Sequence, residues 1–121
     1  MKAIYTLLIL LIPFVGFGQL TYVPNNNFEQ ALINLGYDDV LDDYVLTDNI
    51  INIDSLSFNS LSIDSFTGIE DFLNLKYLSC HSNDLTQLDV SQNVNLEYLS
   101  CRWNDLTQLD VSQNVNLEYL S

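Results

Sequence analysis

The chain has 121 residues, room for one small domain, and its 16 Asp and Glu against 3 Lys and Arg give a formal charge of −13. A field of that sign repels phosphate backbones and anionic bilayers, which excludes nucleic acid as a partner. Apolar residues make up 48% of the chain and recur at regular intervals, so it is not a disordered segment, and two cysteines are too few for a disulfide scaffold.

The first stretch, MKAIYTLLILLIPFVGFGQ, sets Lys2 before an apolar run from Ile4 to Phe17 and ends on the small residues Gly16 and Gly18. That order is the pattern of a secretory signal peptide, with cleavage expected after residue 18 or 19 and a secreted or bacterial cell-surface destination. A membrane anchor fits less well, because the run falls short of the ~20 residues that span a bilayer. Pro13 and Gly16 also interrupt it. Cleavage removes Lys2 and leaves Lys76 and Arg102 against 16 acids, 2 − 16 = −14, with no stable membrane insertion expected afterwards.

Residues 20–52 do not repeat. After Pro24, Asn25, Asn26 and Asn27 offer caps for a helix that runs to about Leu35 and stops at Gly36. Phe28, Ala31, Leu32 and Leu35 share one face of it. The reading favoured is a cap over the open end of the repeat array that begins at residue 53, with partner binding as the alternative. Asp38, Asp39, Asp42 and Asp43 come next; they lack the spacing of a calcium loop and read as a solvated acidic turn, so no metal is expected.

From residue 53 onward the chain repeats. Asp84–Ser100 and Asp105–Ser121 both read DLTQLDVSQNVNLEYLS, at an offset of 105 − 84 = 21 residues, with coils beginning near 53, 75, 96 and 117. A period in the twenties means a solenoid, whose units bury their apolar face only by stacking on one another. Leu75, Leu78, Cys80, Asn83, Leu85, Leu88 and Val90 are the expected inward residues of one coil. Leu96, Leu99, Cys101, Asn104, Leu106, Leu109 and Val111 are those of the next. Leu99 and Cys101 lie two apart, so a short strand points both inward and turns Tyr98, Ser100 and Arg102 out. Asn104 then ends the strand, its amide placed to bond the free backbone groups of the neighbouring turn. A unit of this length has no room for a full helix on its back, so extended or tightly turned backbone is expected there. The first coil has a period of 75 − 53 = 22 and a blurred Asn position. At the other end, the pattern calls for a Cys after Ser121, so the chain reads as a fragment of a longer array.

The pattern L-x-x-L-x-C-x-x-N-x-L, from Leu96 to Leu106 and from Leu75 to Leu85, resembles the leucine-rich-repeat signature. With Leu88-Asp89-Val90 and Leu109-Asp110-Val111 on the second half of the unit, it is similar to the nested 21-residue class of bacterial leucine-rich repeats. Ile63–Leu75 resembles the internalin-like form of the return path. The wording of residues 22–50 resembles the cap of exported Bacteroidetes-type leucine-rich-repeat surface proteins. The resemblance covers roughly 53–121. It implies an α/β-type solenoid, mostly β: a right-handed leucine-rich-repeat coil with short parallel strands, preceded by a helical N-terminal cap.

Catalysis finds no set of residues. His81 is the only histidine, its repeat equivalent is Arg102, and no nucleophile, zinc or phosphate-loop motif is present. Neither enzyme activity nor a cofactor is expected. Cys80 and Cys101 occupy inward sites one coil apart; parallel side chains in register suit a disulfide poorly, and a stack of small apolar thiols is favoured over a bond or a metal pair. Asp89 and Asp110 stack on the back, each able to cap nearby N–H groups. On the strand face, Tyr77, Tyr98 and Tyr119 form one column and Ser79, Ser100 and Ser121 another, with His81 and Arg102 beside them and Trp103 at the edge. Large rings with polar tips suit recognition of a protein or a glycan; the alternative is that duplication copied one exposed tyrosine. The chain therefore reads as a secreted or cell-surface, non-catalytic binding or adhesion module. The alternatives are a spacer displaying another domain and the front end of a larger exported enzyme. N-terminal sequencing of the exported protein is expected to begin at Gln19 or Leu20, and a mature chain that still carries Lys2 would contradict the signal reading.

Overall fold

The structure is a computed structural model that describes residues 18–121. Of the signal segment expected at 1–19, all but Gly18 and Gln19 lies outside the described residues.

Four short strands succeed one another in space in chain order: β3 (Ser55–Ser57), β4 (Tyr77–Ser79), β5 (Tyr98–Ser100) and β6 (Tyr119–Leu120). They are parallel and in register, Leu56 against Leu78, Leu78 against Leu99, and Leu99 against Leu120. The central residue of β3, β4 and β5 is the inward leucine, and Leu56, Leu78 and Leu99 are buried in one continuous core with Leu75, Leu85, Val90 and Leu96. The parallel ladder requires a long crossover between strands, and here the crossover is one lap of the coil. Its far side carries tight turns and, in the first coil, a single 3₁₀ turn at Ile69–Asp71, as the short period demands. In the last coil Cys101, Leu106, Leu109, Val111 and Leu117 are only partly buried, since no further coil covers them within the described chain.

Buried asparagines close the turns. Asn83 Oδ1 accepts from the Leu61 and Ile63 amides at 3.1 and 3.0 Å, and its Nδ2 donates to the Phe58 and Cys80 carbonyls at 2.8 and 2.9 Å. Asn104 does the same one coil later, accepting from Leu85 and donating to Cys80 and Cys101. On the opposite side Asn93 donates to the Ile69 and Phe72 carbonyls, and Asn114 to those of Val90 and Asn93. Each amide thus ties its own coil to the one before.

The first coil departs from its successors where it meets the N-terminal segment. Register sets Phe58 opposite Cys80, one coil on, and the 22-residue offset carries Phe66 to Leu88. Beyond that point the offset is 21, which matches Ile69 to Val90 and Phe72 to Asn93, so one extra residue falls between Phe66 and Ile69. Gly68 stands there at φ +108, and a Cβ on it would come within 2.8 Å of the Tyr22 carbonyl oxygen and of the Val23 side chain. The insertion is where β1 (Leu20–Tyr22) lies against the coil. Thr21 Oγ1 fixes the contact, donating to Asp71 Oδ2 at 2.7 Å and lying 2.8 Å from Thr47 Oγ1.

The N-terminal segment is richer than one helix. Helix α1 (Asn26–Asn34) forms as expected, and Asn25 is its cap, accepting from the Phe28 amide at 2.9 Å. In addition, β1 pairs antiparallel with β2 (Tyr44–Leu46), and a one-turn helix α2 (Thr47–Ile50) comes directly after. Phe28 sits among Phe58, Phe66 and Phe72, at centroid distances of 5.9, 4.8 and 6.0 Å. Large rings in the first coil replace the thiol, leucine and amide of later coils and fill the wider space beneath the helix. One expectation for α1 needs correcting: Leu35 is the C-terminal cap and 55% exposed, because the chain turns away there. Glu29, on which the sequence pattern is silent, is fully buried.

Replacing Asn83 with Ala is expected to cost about 3 kcal/mol, since it strands several buried backbone groups at once. Asn104→Ala, in the half-buried last turn, should cost less. Urea unfolding of the two variants against the parent checks the order, and equal midpoints for all three would refute the role given to the amides.

Candidate binding face

In-register strands set the tyrosines over one another. Tyr77 and Tyr98 stack at 4.2 Å between centroids and 12° between planes, Tyr98 and Tyr119 at 4.4 Å and 3°. Tyr77 is 37% exposed and Tyr119 44%, with Tyr98 half-buried between them. Ring faces are therefore turned on each other, and the edges and hydroxyls point outward. Partial burial raises the Tyr98 hydroxyl above its ordinary pKa, and hydrogen bonding and charge from Tyr77, then Tyr119, add to the effect.

The serine column was expected to be open, and this needs correcting: Ser79 and Ser100 are 3% and 4% exposed. A small side chain between the tyrosine column and the residues after the strand is covered by both. Ser79 Oγ donates to Asn59 Oδ1 at 2.9 Å, and Ser121 Oγ donates to Ser100 Oγ at 3.1 Å. Asn59 Oδ1 also accepts from the His81 amide. Sequence reasoning missed Asn59, although its place 22 residues before His81 gives it away.

The face has two unlike edges. Ahead of the strands, register lines up Asp54, Lys76, Glu97 and Glu118, all exposed. Behind them come Asn59, His81 and Arg102, then Trp103, which is 72% exposed. The Arg102 guanidinium lies 5.2 Å from the Trp103 ring centroid, and His81 meets the same ring edge-on at 6.1 Å. His81 Nδ1 is 3.2 Å from Ser82 Oγ.

Cys80 and Cys101 are free, and each thiol donates to the carbonyl of the next strand, to Ser100 at 3.4 Å and Ser121 at 3.3 Å. Burial, with the neighbouring Cys101 second, pushes the Cys80 thiol up to about 12, and burial also raises Cys101. Neither is a nucleophile at neutral pH. On the back, Asp89 and Asp110 accept from the Ser91 and Ser112 amides at 2.9 and 2.8 Å, and hydrogen bonds from these serines lower both carboxyls.

The acidic turn draws in a residue that sequence reasoning left out. Glu29, Asp38 and Asp42 bring carboxylate oxygens within 4.8 Å of one another. Glu29 accepts from the Asp43 and Asp42 amides at 2.9 and 3.2 Å. Burial pushes its carboxyl up to about 7; a hydrogen bond with Asp38 and that residue's charge add to the rise, and the two amides oppose it. Burial disfavours the charged form of Glu29, and three hard oxygens this close are also what a divalent ion takes.

In fold the chain is a leucine-rich-repeat solenoid. It is similar to the functional domain of InlJ from Listeria monocytogenes, a domain that includes a cysteine ladder, with a TM-score of 0.75 and 36% identity over 86% of this chain and 24% of that one. The internalin InlF of the same organism aligns with a TM-score of 0.69 and 21% identity, over 82% of this chain and 30% of that one. The chain thus spans less than a third of either protein's length. No protein-family model and no curated protein matches it.

The raised Glu29 carboxyl makes stability depend on pH with a definite sign. A carboxyl whose pKa moves from 4.5 unfolded to about 7 folded contributes fully below the lower value and loses its contribution as pH rises through the higher one. The lowered carboxyls of Asp89 and Asp110 act in the opposite sense, but only below their ordinary 3.8. The melting temperature is therefore expected to fall between about pH 5 and pH 8, and Glu29→Gln should flatten that slope; a Gln variant with the parent's slope would place the proton elsewhere.

Proposed function

We propose that this chain is the non-catalytic binding module of an exported protein, secreted or held at the bacterial surface, and that it takes a protein partner on its strand face. In this reading residues 1–19 direct export, 20–52 cap the solenoid, and 53–121 carry the binding surface in nested 21-residue coils of the Bacteroidetes surface type. The observation that carries it is the tyrosine ladder, with rings stacked at 4.2 and 4.4 Å on an otherwise open sheet face and an exposed Trp103 beside it. Aromatic residues that present a rigid edge and a hydroxyl dominate protein interfaces. The stacking also favours a protein over a glycan, since sugars bind open ring faces and these faces cover one another. The similarity to internalin folds points the same way. Among the described residues no helix is long and apolar enough to cross a membrane. The mature field of −14 speaks against nucleic acid.

The near-identity of successive coils favours a second reading, in which the array is a spacer that displays another domain or an exported enzyme. Bacteria displaying the chain, parent or Tyr77→Ser with Tyr98→Ser, separate the two in an adhesion assay on protein-coated surfaces. The paired change should cost about 1 kcal/mol of ring stacking and leave the fold intact by circular dichroism. Adhesion should fall about tenfold or more; undiminished adhesion supports the spacer.

A further inference from the structure

Two successive coils of this solenoid are written almost alike. Cys80–Ser100 and Cys101–Ser121 differ at two adjacent positions only, His81-Ser82 in one and Arg102-Trp103 in the other. Every core leucine, all three asparagines and the tyrosine of the face are copied unchanged. Divergence is confined to the residues that leave the strand, at the trailing edge of the tyrosine ladder.

Neither change serves the coil. Ser82 and Trp103 both stand in the left-handed region, at φ +58 and +55, which a bulky side chain occupies less readily than a small polar one. Trp103 is the single tryptophan of the chain and is 72% exposed, so its ring adds little to the core. Arg102 is the only arginine, set in a chain with 16 carboxylates, yet its described contact is the Trp103 ring. That contact orients a planar fork of donors at the surface.

We propose that positions 81–82 and 102–103 determine the specificity of the strand face, and that Arg102, held beside Trp103, receives a carboxylate side chain of a polypeptide partner. The proposal rests on the reading of the strand face as a protein-binding surface and names the partner's chemistry. A guanidinium fork matches a carboxylate with two parallel hydrogen bonds. Of the chain's own acids, the exposed Asp105 follows Arg102 by three residues in the turn, while Glu97 on the leading edge lies five residues before it, about 16 Å away along the strand. Charges that far apart are largely screened at physiological salt, where the Debye length is about 8 Å. A glycan is the weaker candidate, since the tyrosine faces are closed by stacking and Arg102 lies over one face of Trp103.

The test uses fluorescein-labelled peptides of alternating Glu and Ser, with Gln–Ser as the uncharged control and sialyllactose as the glycan probe. Binding to the full chain is read by anisotropy and by Trp103 emission. The comparison variant carries Arg102→His with Trp103→Ser, which rewrites this coil as the preceding one and so uses a sequence that already folds in this chain. The Glu–Ser peptide is expected to shift Trp103 emission saturably and to bind the variant about tenfold more weakly, while Gln–Ser binds both poorly. Equal binding of Glu–Ser and Gln–Ser, equal binding by parent and variant, or saturation by sialyllactose alone would each overturn the proposal. If adhesion still depends on Tyr77 and Tyr98 in that event, the strand-face reading survives and only the carboxylate assignment falls.

Discussion

Every lap of this chain must turn out of a strand without leaving backbone groups unsatisfied in the interior, and buried asparagines solve that problem. Asn83 alone accepts from two amides and donates to carbonyls of two successive coils. An unpaired peptide group in such a place costs as much as a lost hydrogen bond or more. The amide is well suited because it carries donors and an acceptor on one short, rigid arm. Asn93 and Asn114 pin the far side of the coil through their Nδ2 groups alone, each donating to two carbonyls of the coil before, so the lap is held at two points, and leucine, valine and cysteine fill the space between.

Once the laps are pinned in register, their spacing dictates the surface. Strands of a sheet lie about 4.8 Å apart, and aromatic residues repeated at one strand position stack whether or not a ligand needs them. The stacked tyrosines lose their faces to each other and keep their edges. The serines beside them are too short to reach past the rings and His81 or Arg102, so a column that points outward is nonetheless buried. A strip of hydroxyls stays open between an acidic leading edge and a trailing edge of His81, Arg102 and Trp103, and this strip is the part a partner can meet.

The end of the array imposes different chemistry. A first coil has no predecessor to cover it, and the N-terminal segment does so by inserting Phe28 among three phenylalanines that later coils do not have. One inserted residue, Gly68, gives β1 room to approach, and the Thr21–Asp71 hydrogen bond fastens it. The same packing buries Glu29 and forces it to share a site with Asp38 and Asp42, so the junction is where the charge state of the protein bears on its stability.

The 21-residue period, the inward leucines, the turn asparagines and the tyrosine column were all legible in the sequence, because each depends on spacing along the chain and a solenoid converts spacing directly into position. The burial of Ser79 and Ser100 was not, since it depends on how far neighbouring side chains on other coils reach. Nor were the antiparallel β1–β2 pair, the exposure of Leu35 or the burial of Glu29. In a segment without a repeat, contacts between residues far apart in sequence decide which side of a helix or turn faces the core. The sequence by itself determined the lap and what it stacks; the tertiary structure decided which polar groups that stacking encloses, because enclosure is a property of neighbours that periodicity does not specify.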